Sequence, residues 1–168
     1  MGIAIRAEQD GDSATIARLT EEAFRDKAYS SHTEQYIVDA LRRAGQLTIS
    51  LVATDGGSIV GHVAISPVAI SSGEAGWYGL GPISVWPERQ GRGIGSALVR
   101  AALAELQHRG GAGCVLLGSP AYYGRFGFAA RPGLVLPGVQ PEYFQALSFD
   151  GAMPVGEVRY SEAFDATS

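Results

Sequence analysis

The sequence is poor in the residues that staple, anchor or coat a chain. It has one cysteine, Cys114. No internal disulfide can form, which fits a reducing compartment. No run of Lys and Arg is present and the net charge is −4, so neither a nucleic-acid surface nor a nucleic-acid partner is expected. No apolar run is long enough to span a bilayer, so no membrane partner is expected either. The first residues lack the basic, apolar, small-residue order of a signal peptide, and Arg6 stands where a myristoylation site needs Ser or Thr. His32 and His108 do not make metal-ligand spacing with Cys114, so no metal is expected. Together these absences point to a soluble cytoplasmic protein.

What is present is enough for one domain spanning residues 1–168. Hydrophobic residues make up 46% of the chain, sufficient for an ordinary core. The 23 glycines are interspersed with apolar runs, which suggests tight turns rather than disorder. Ile3–Ala7 alternates and reads as a strand. A turn at residues 10–13 holds N-cap candidates, and Ile16, Leu19, Ala23 and Phe24 recur at helical spacing up to Arg25. Residues 26–31 are polar and read as a loop. A second helix follows from Thr33, its candidate cap, with Tyr36, Ile37, Ala40 and Leu41 on one face and Gly45 as its stop. Residues 47–54 read as a strand, and Asp55-Gly56-Gly57 as a hairpin turn. Ser58–Ile70 returns, with a break expected at Ser66-Pro67. Trp77–Val85 is the next strand, in which Pro82 suggests a bulge or a distorted edge.

After a glycine-rich turn comes the clearest helix. Ile94, Leu98, Ala102 and Leu106 form its apolar stripe, and Gly110-Gly111 ends it. Residues 114–117 are continuously apolar, the pattern of a buried parallel strand, so the segment makes one βαβ unit. One or two helical turns are expected over residues 121–125. Further on, the reading gives a strand over 134–136, a short helix over 141–147 with Pro141 at its start, a strand at Gly156–Tyr160 and a frayed tail over 165–168.

The turn Gln90-Gly91-Arg92-Gly93-Ile94-Gly95-Ser96 suits a phosphate. Glycines allow close backbone approach, and the helix start adds free N–H donors and a partial positive charge. A P-loop would need a Lys here, and there is none. A dinucleotide fingerprint would need an acid at the end of the next strand, and residues 117–121 contain none.

The same turn resembles the acyl-CoA pyrophosphate motif of the GNAT superfamily of N-acetyltransferases, Gln/Arg-x-x-Gly-x-Gly/Ala. The flanks match: an apolar-x-Val pair precedes it and Ser96-Ala97-Leu98-Val99 follows. Ala121-Tyr122-Tyr123-Gly124-Arg125-Phe126-Gly127-Phe128 resembles a second superfamily motif, Tyr-x-x-x-Gly-Phe. The element order is similar as well. The resemblance covers residues 3–128 well and the remainder loosely. Together with the run from Gly118 it looks like a bacterial subgroup described as predicted N-acetyltransferases.

That resemblance implies an α/β fold with a central mixed sheet flanked by helices, and acetyl-CoA as co-substrate. It places the cofactor's pantetheine arm beside the strand segment Ile83-Ser84-Val85, where the sheet splays open. The Val85 N–H is then the candidate oxyanion donor. The backbone of Gln90, Gly91, Arg92, Gly93, Ile94, Gly95 and Ser96 would hold the pyrophosphate, helped by Arg89 or Arg92. Tyr123 takes the position of the general acid near the sulfur, with Tyr122 structural. No base position is fixed: Glu34, His32, His62 and Glu74 are candidates, with Glu34 placed first. The implied reaction is direct attack by a primary amine in a ternary complex, since no activated nucleophile is visible. A non-catalytic acyl-CoA-binding module and an acyltransferase using a longer acyl chain are the rivals. A homodimer is compatible with the family. The acceptor is left to the loops at 26–31 and 71–76 and to the residues after Phe128.

Overall fold

The computed structural model describes residues 2–168. Eight strands and four α-helices follow in the order β1 (Ile3–Ala7), α1 (Ser13–Phe24), α2 (Glu34–Arg43), β2 (Ile49–Asp55), β3 (Ser58–Ile70), β4 (Trp77–Val85), α3 (Ile94–His108), β5 (Gly113–Leu117), α4 (Pro120–Tyr123), β6 (Leu134–Val135), β7 (Phe144–Ser148) and β8 (Gly156–Tyr160). The sheet is mixed and open. Its main order is β1-β2-β3-β4-β5-β7, with β8 joined to β3 and β6 to β8. Only the β4–β5 and β6–β8 pairs are parallel.

The turns follow from local chemistry. Gly56 and Gly57 both have positive φ, 59° and 87°, the requirement of a tight hairpin turn that matches strand twist. At the end of α2, Gly45 has φ 71° and the Gln46 N–H reaches the Leu41 carbonyl at 2.9 Å, a Schellman stop. The N-caps differ from expectation. Asp12 and Thr33 occupy the cap positions of α1 and α2, but neither side chain makes a cap bond. The Asp12 carboxylate is taken by Arg6 at 2.7 Å and by the Gln9 N–H at 2.7 Å.

Two faces of the sheet are covered. On one, α3 packs Leu98, Val99, Ala102 and Leu106 against Ile49, Val63, Ile65 and Leu116 in the main core. On the other, Ile16 of α1 and Val38 of α2 close over Val52. A smaller core joins Trp77, Val115, Phe144 and Val158.

Three sequence readings are corrected. No break occurs at Ser66-Pro67: β3 runs on, but its partner changes. It pairs with β4 through Pro67 and with β8 from Val68. A proline without an N–H is tolerated where the partner changes. The helix over 141–147 is a single 3-10 turn, Pro141–Tyr143, followed by β7 along the whole of β5. The tail begins one residue later than read: Asp165 closes a 3-10 turn, Glu162–Asp165, that sets Phe164 edge-on to Tyr160 with ring centroids 4.9 Å apart. Pro82 does mark a bulge, where the β3–β4 register shifts between Val63 and Ile65.

Candidate active site

The parallel pair β4–β5 is short. Only Trp77, Tyr78 and Gly79 pair with Gly113, Cys114 and Val115. Beyond that point β4 stays with β3 and β5 stays with β7, so the sheet opens between them. Backbone direction alternates along a strand. The Trp86 N–H goes to the Val60 carbonyl at 3.1 Å, so the Ser84 groups also face β3, opposite His62. The backbone groups of Ile83 and Val85 therefore face the opening. The Gln90 side-chain amide donates to the Val85 carbonyl at 3.1 Å, which leaves the Val85 N–H as the free group there.

A cleft of about 590 Å³ begins at this opening. Ile83 and Val85, the turn residues Gln90, Gly91, Gly93, Ile94, Gly95 and Ser96, and Tyr123 all line it. Gly93 is the N-cap of α3 with φ 83°, a left-handed conformation that glycine adopts without strain. A Cβ built at Gly91 or Gly93 would meet nothing within 4 Å, so open space lies directly over the backbone donors at the helix start. Arg92 is exposed and outside the lining. Arg89 lines the cleft, yet its guanidinium holds Asp55 at 2.7 Å. Ser84 is buried with no partner for its hydroxyl.

Tyr123 stands on the last residue of α4. Its ring packs edge-on against Tyr122 at 4.9 Å and Phe128 at 6.3 Å. A Cβ built at Gly118 would lie 2.4 Å from the ring, so only glycine leaves room for it. The Tyr123 hydroxyl has no hydrogen-bond partner among the described residues, whereas the Tyr122 hydroxyl meets Ser96 Oγ at 2.9 Å. Tyr122 thus ties α4 to α3, and Arg125 covers its ring at 4.4 Å. Burial, with Tyr122 and Tyr29 adding to it, pushes the Tyr123 phenol up to about 12. The phenol therefore keeps its proton throughout the neutral range.

Glu34 is not brought to this cleft. Both its carboxylate oxygens accept from Ser30 Oγ, at 2.8 and 2.7 Å. His32 is exposed and Glu74 is exposed, and neither lines the cleft. His62 is fully buried on β3 and meets Ser50 Oγ at 2.8 Å. Burial brings it down to about 4, so it is neutral near pH 7. Residues of the cleft and of the packing behind Tyr123 escaped the sequence reading. Lys27 and Tyr29 come from the loop after α1, where composition alone gave only a polar connection. Gly118 was legible only as part of the motif run that follows it.

The chain is similar to known proteins. The family described as Acetyltransferase (GNAT) domain matches residues 4–131. The chain is 39% identical over 125 residues to the uncharacterized N-acetyltransferase YhbS of Escherichia coli K12, covering 74% of this chain and 72% of that protein. Among solved structures, a GNAT family acetyltransferase from Brucella melitensis in complex with acetyl-CoA is 52% identical, with a TM-score of 0.88 over 98% of this chain and 99% of that one. Escherichia coli YhbS in complex with CoA is 34% identical, with a TM-score of 0.86 over 99% of this chain and 93% of that one. The chain therefore belongs to the GNAT family of acetyltransferases.

Proposed function

We propose that this protein transfers the acetyl group of acetyl-CoA to a primary amine by direct attack in a ternary complex. The observation that carries the reading is the opening between β4 and β5, which leads into a cleft that Val85 and Tyr123 both line. The Brucella relative is described in complex with acetyl-CoA and YhbS in complex with CoA, and the residues here fit that ligand. Glycines 91 and 93 leave the helix-start donors uncovered for a pyrophosphate. Ile83 and Val85 offer backbone partners to an extended amide-containing arm.

The chemistry follows from the groups in the cleft. A neutral amine attacks the thioester carbonyl. Negative charge gathers on the carbonyl oxygen, where the Val85 N–H donates. Collapse expels a thiolate, Tyr123 supplies its proton, and the proton that the attacking nitrogen sheds as the amide forms restores the phenol. A deep-set phenol is suited to this because it is not ionised at the working pH.

The test is a screen of primary amines with acetyl-CoA, read by release of free thiol, beside direct titration of acetyl-CoA and longer acyl-CoAs. Thiol release that depends on an amine supports the reading. Tight acetyl-CoA binding without release for any amine would replace it with a binding module. Preferential binding of a longer acyl-CoA would change the acyl group transferred.

A further inference from the structure

Gln145 is a polar residue in a place that suits an apolar one. It stands on β7 opposite Leu116 of β5, and directly opposed residues point to the same face. Leu116 belongs to the main core, together with Phe128. Gln145 is fully buried there, yet its Oε1 has no hydrogen-bond partner among the described residues. A buried, unpaired acceptor is costly, and an apolar side chain of similar size would avoid that cost. What the amide supplies is a donor.

That donor is Nε2, which gives a hydrogen bond to the Gly118 carbonyl at 3.0 Å. A carbonyl only accepts, so the nitrogen must face Gly118 and the oxygen is left over. Gly118 is held a second time, through its N–H, by the Tyr143 carbonyl at 3.0 Å. Both bonds come from the same stretch of chain, the end of the 3-10 turn Pro141–Tyr143 and the strand that follows it. They pin Gly118 just beyond the end of β5.

Gly118 is what the phenol rests on. A Cβ built there would lie 2.4 Å from Cε2, 2.7 Å from Cδ2 and 3.5 Å from Cζ of Tyr123. The ring thus lies over Gly118 as far as the carbon that bears the hydroxyl. Its second support, the Phe128 ring at 6.3 Å, is fixed from the same strand: Ala129 and Ala146 exchange two backbone bonds, at 3.2 and 2.8 Å. α4 is a single turn of four residues, and so short a helix does not hold its own last side chain. No bond to a described residue fixes the hydroxyl. Its place is set by the surfaces beneath the ring.

We propose that Gln145 is a positioning residue for the proton donor: by clamping the Gly118 peptide it sets where the Tyr123 hydroxyl stands in the cleft. The proposal rests on the acetyl-transfer reading. Gln145 does not line the cleft and touches neither cofactor nor amine; it acts through Gly118 and the ring. The glycine turn follows β4, on the far side of the opening from β7. A change at Gln145 therefore reaches the phenol and leaves the phosphate-binding backbone alone.

The test is Gln145→Met, which keeps the length of the side chain and gives up the amide, with Gln145→Leu as a second variant. Both remove the unpaired acceptor, and Gly118 is half-buried, so water can take its carbonyl and both variants are expected to fold. Each is made in the wild type and in Tyr123→Phe. In the wild type, kcat with an amine that the protein acetylates is expected to fall about tenfold or more, with the KM and the calorimetric affinity for acetyl-CoA unchanged. In Tyr123→Phe, which has no hydroxyl to place, the same substitution should cost less than about twofold. A loss as large in Tyr123→Phe as in the wild type, or no loss in the wild type, overturns the proposal. Fluorotyrosine labelling gives a readout free of turnover. The Tyr123 resonance, identified by its absence from Tyr123→Phe, is expected to shift or broaden in Gln145→Met, while that of Tyr36 on α2 stays in place. A Tyr123 resonance identical to the wild type's overturns the clamp alone. A wild type that acetylates no amine overturns the transfer reading, and this role with it.

Discussion

Replacing Tyr123 by Phe removes one oxygen and nothing else that the fold uses. The hydroxyl has no protein partner, while the ring is held by Tyr122, Phe126, Phe128 and the close approach of Gly118. No packing is lost and no donor is orphaned, so stability is expected to stay within about 0.5 kcal/mol of wild type. The glycine turn proposed to hold the phosphates is on a different element, so acetyl-CoA affinity should change by less than about threefold, a difference near 0.6 kcal/mol. Catalysis is another matter. A positioned general acid contributes typically about 10²- to 10⁴-fold, and kcat should fall by roughly that much. The pH profile carries a second signature. Because burial raises the phenol to about 12, the acid form persists through the whole assay range. The wild type should therefore show no descending limb from this group below about pH 10. Steady-state thiol release, calorimetric titration and urea unfolding of the two proteins supply the three measurements. Equal turnover in Tyr123→Phe and wild type would refute the acid assignment. A matched loss of turnover and of acetyl-CoA affinity would show that Tyr123 serves binding instead.

Other perturbations follow from the same geometry. Gly118→Ala would drive a Cβ to 2.4 Å from the Tyr123 ring, and the displaced phenol should lower kcat by about 10²-fold with acetyl-CoA binding little changed in calorimetry. Gly93→Ala would place a side chain at φ 83°; a loss of about 1–2 kcal/mol in urea unfolding and weaker acetyl-CoA binding are expected. Buried His62, brought down to about 4, is neutral in the fold while the unfolded chain takes up a proton below about pH 6.5. Unfolding free energy should thus decline as pH falls from about 6.5 to 4, by roughly 3 kcal/mol at most. His62→Gln should flatten that decline in pH-dependent urea titrations, and an unchanged slope would count against the assignment.

Periodicity and turn chemistry made much of this fold legible. The stripe of Ile94, Leu98, Ala102 and Leu106 is local, and its helix appears as read. Trp77–Val85 is bounded by a glycine turn and the Trp86-Pro87 step, and its limits agree with the sequence. β7 was hidden because Pro141 imitates a helix start, while the strand is dictated by its distant partner β5. Partner exchange along β3 was hidden for the same reason, since nothing near Pro67 encodes the approach of β8. In the site, the glycine turn and Tyr123 were legible through the two motifs that resemble the family's. Glu34, placed first among the candidate bases, does not line the cleft: its side chain is claimed by Ser30 four residues earlier, a competition that composition does not reveal. The bond between Ser50 and His62 joins two strands and depends on register alone.

The three-pair joint between β4 and β5 has a mechanical consequence. It divides the sheet into two leaves, one running from β1 to β4 and the other made of β5 and β7. Each leaf has a raw inner edge at the seam, the kind of edge that sheets usually pair or shield. A ligand lying along that seam would act as a missing rung between the leaves. Amides of Ile83 and Val85 should then trade hydrogen for deuterium freely in the empty protein and become protected when the seam is filled, while that of Val63, inside the first leaf between β2 and β4, keeps the same pace in both states.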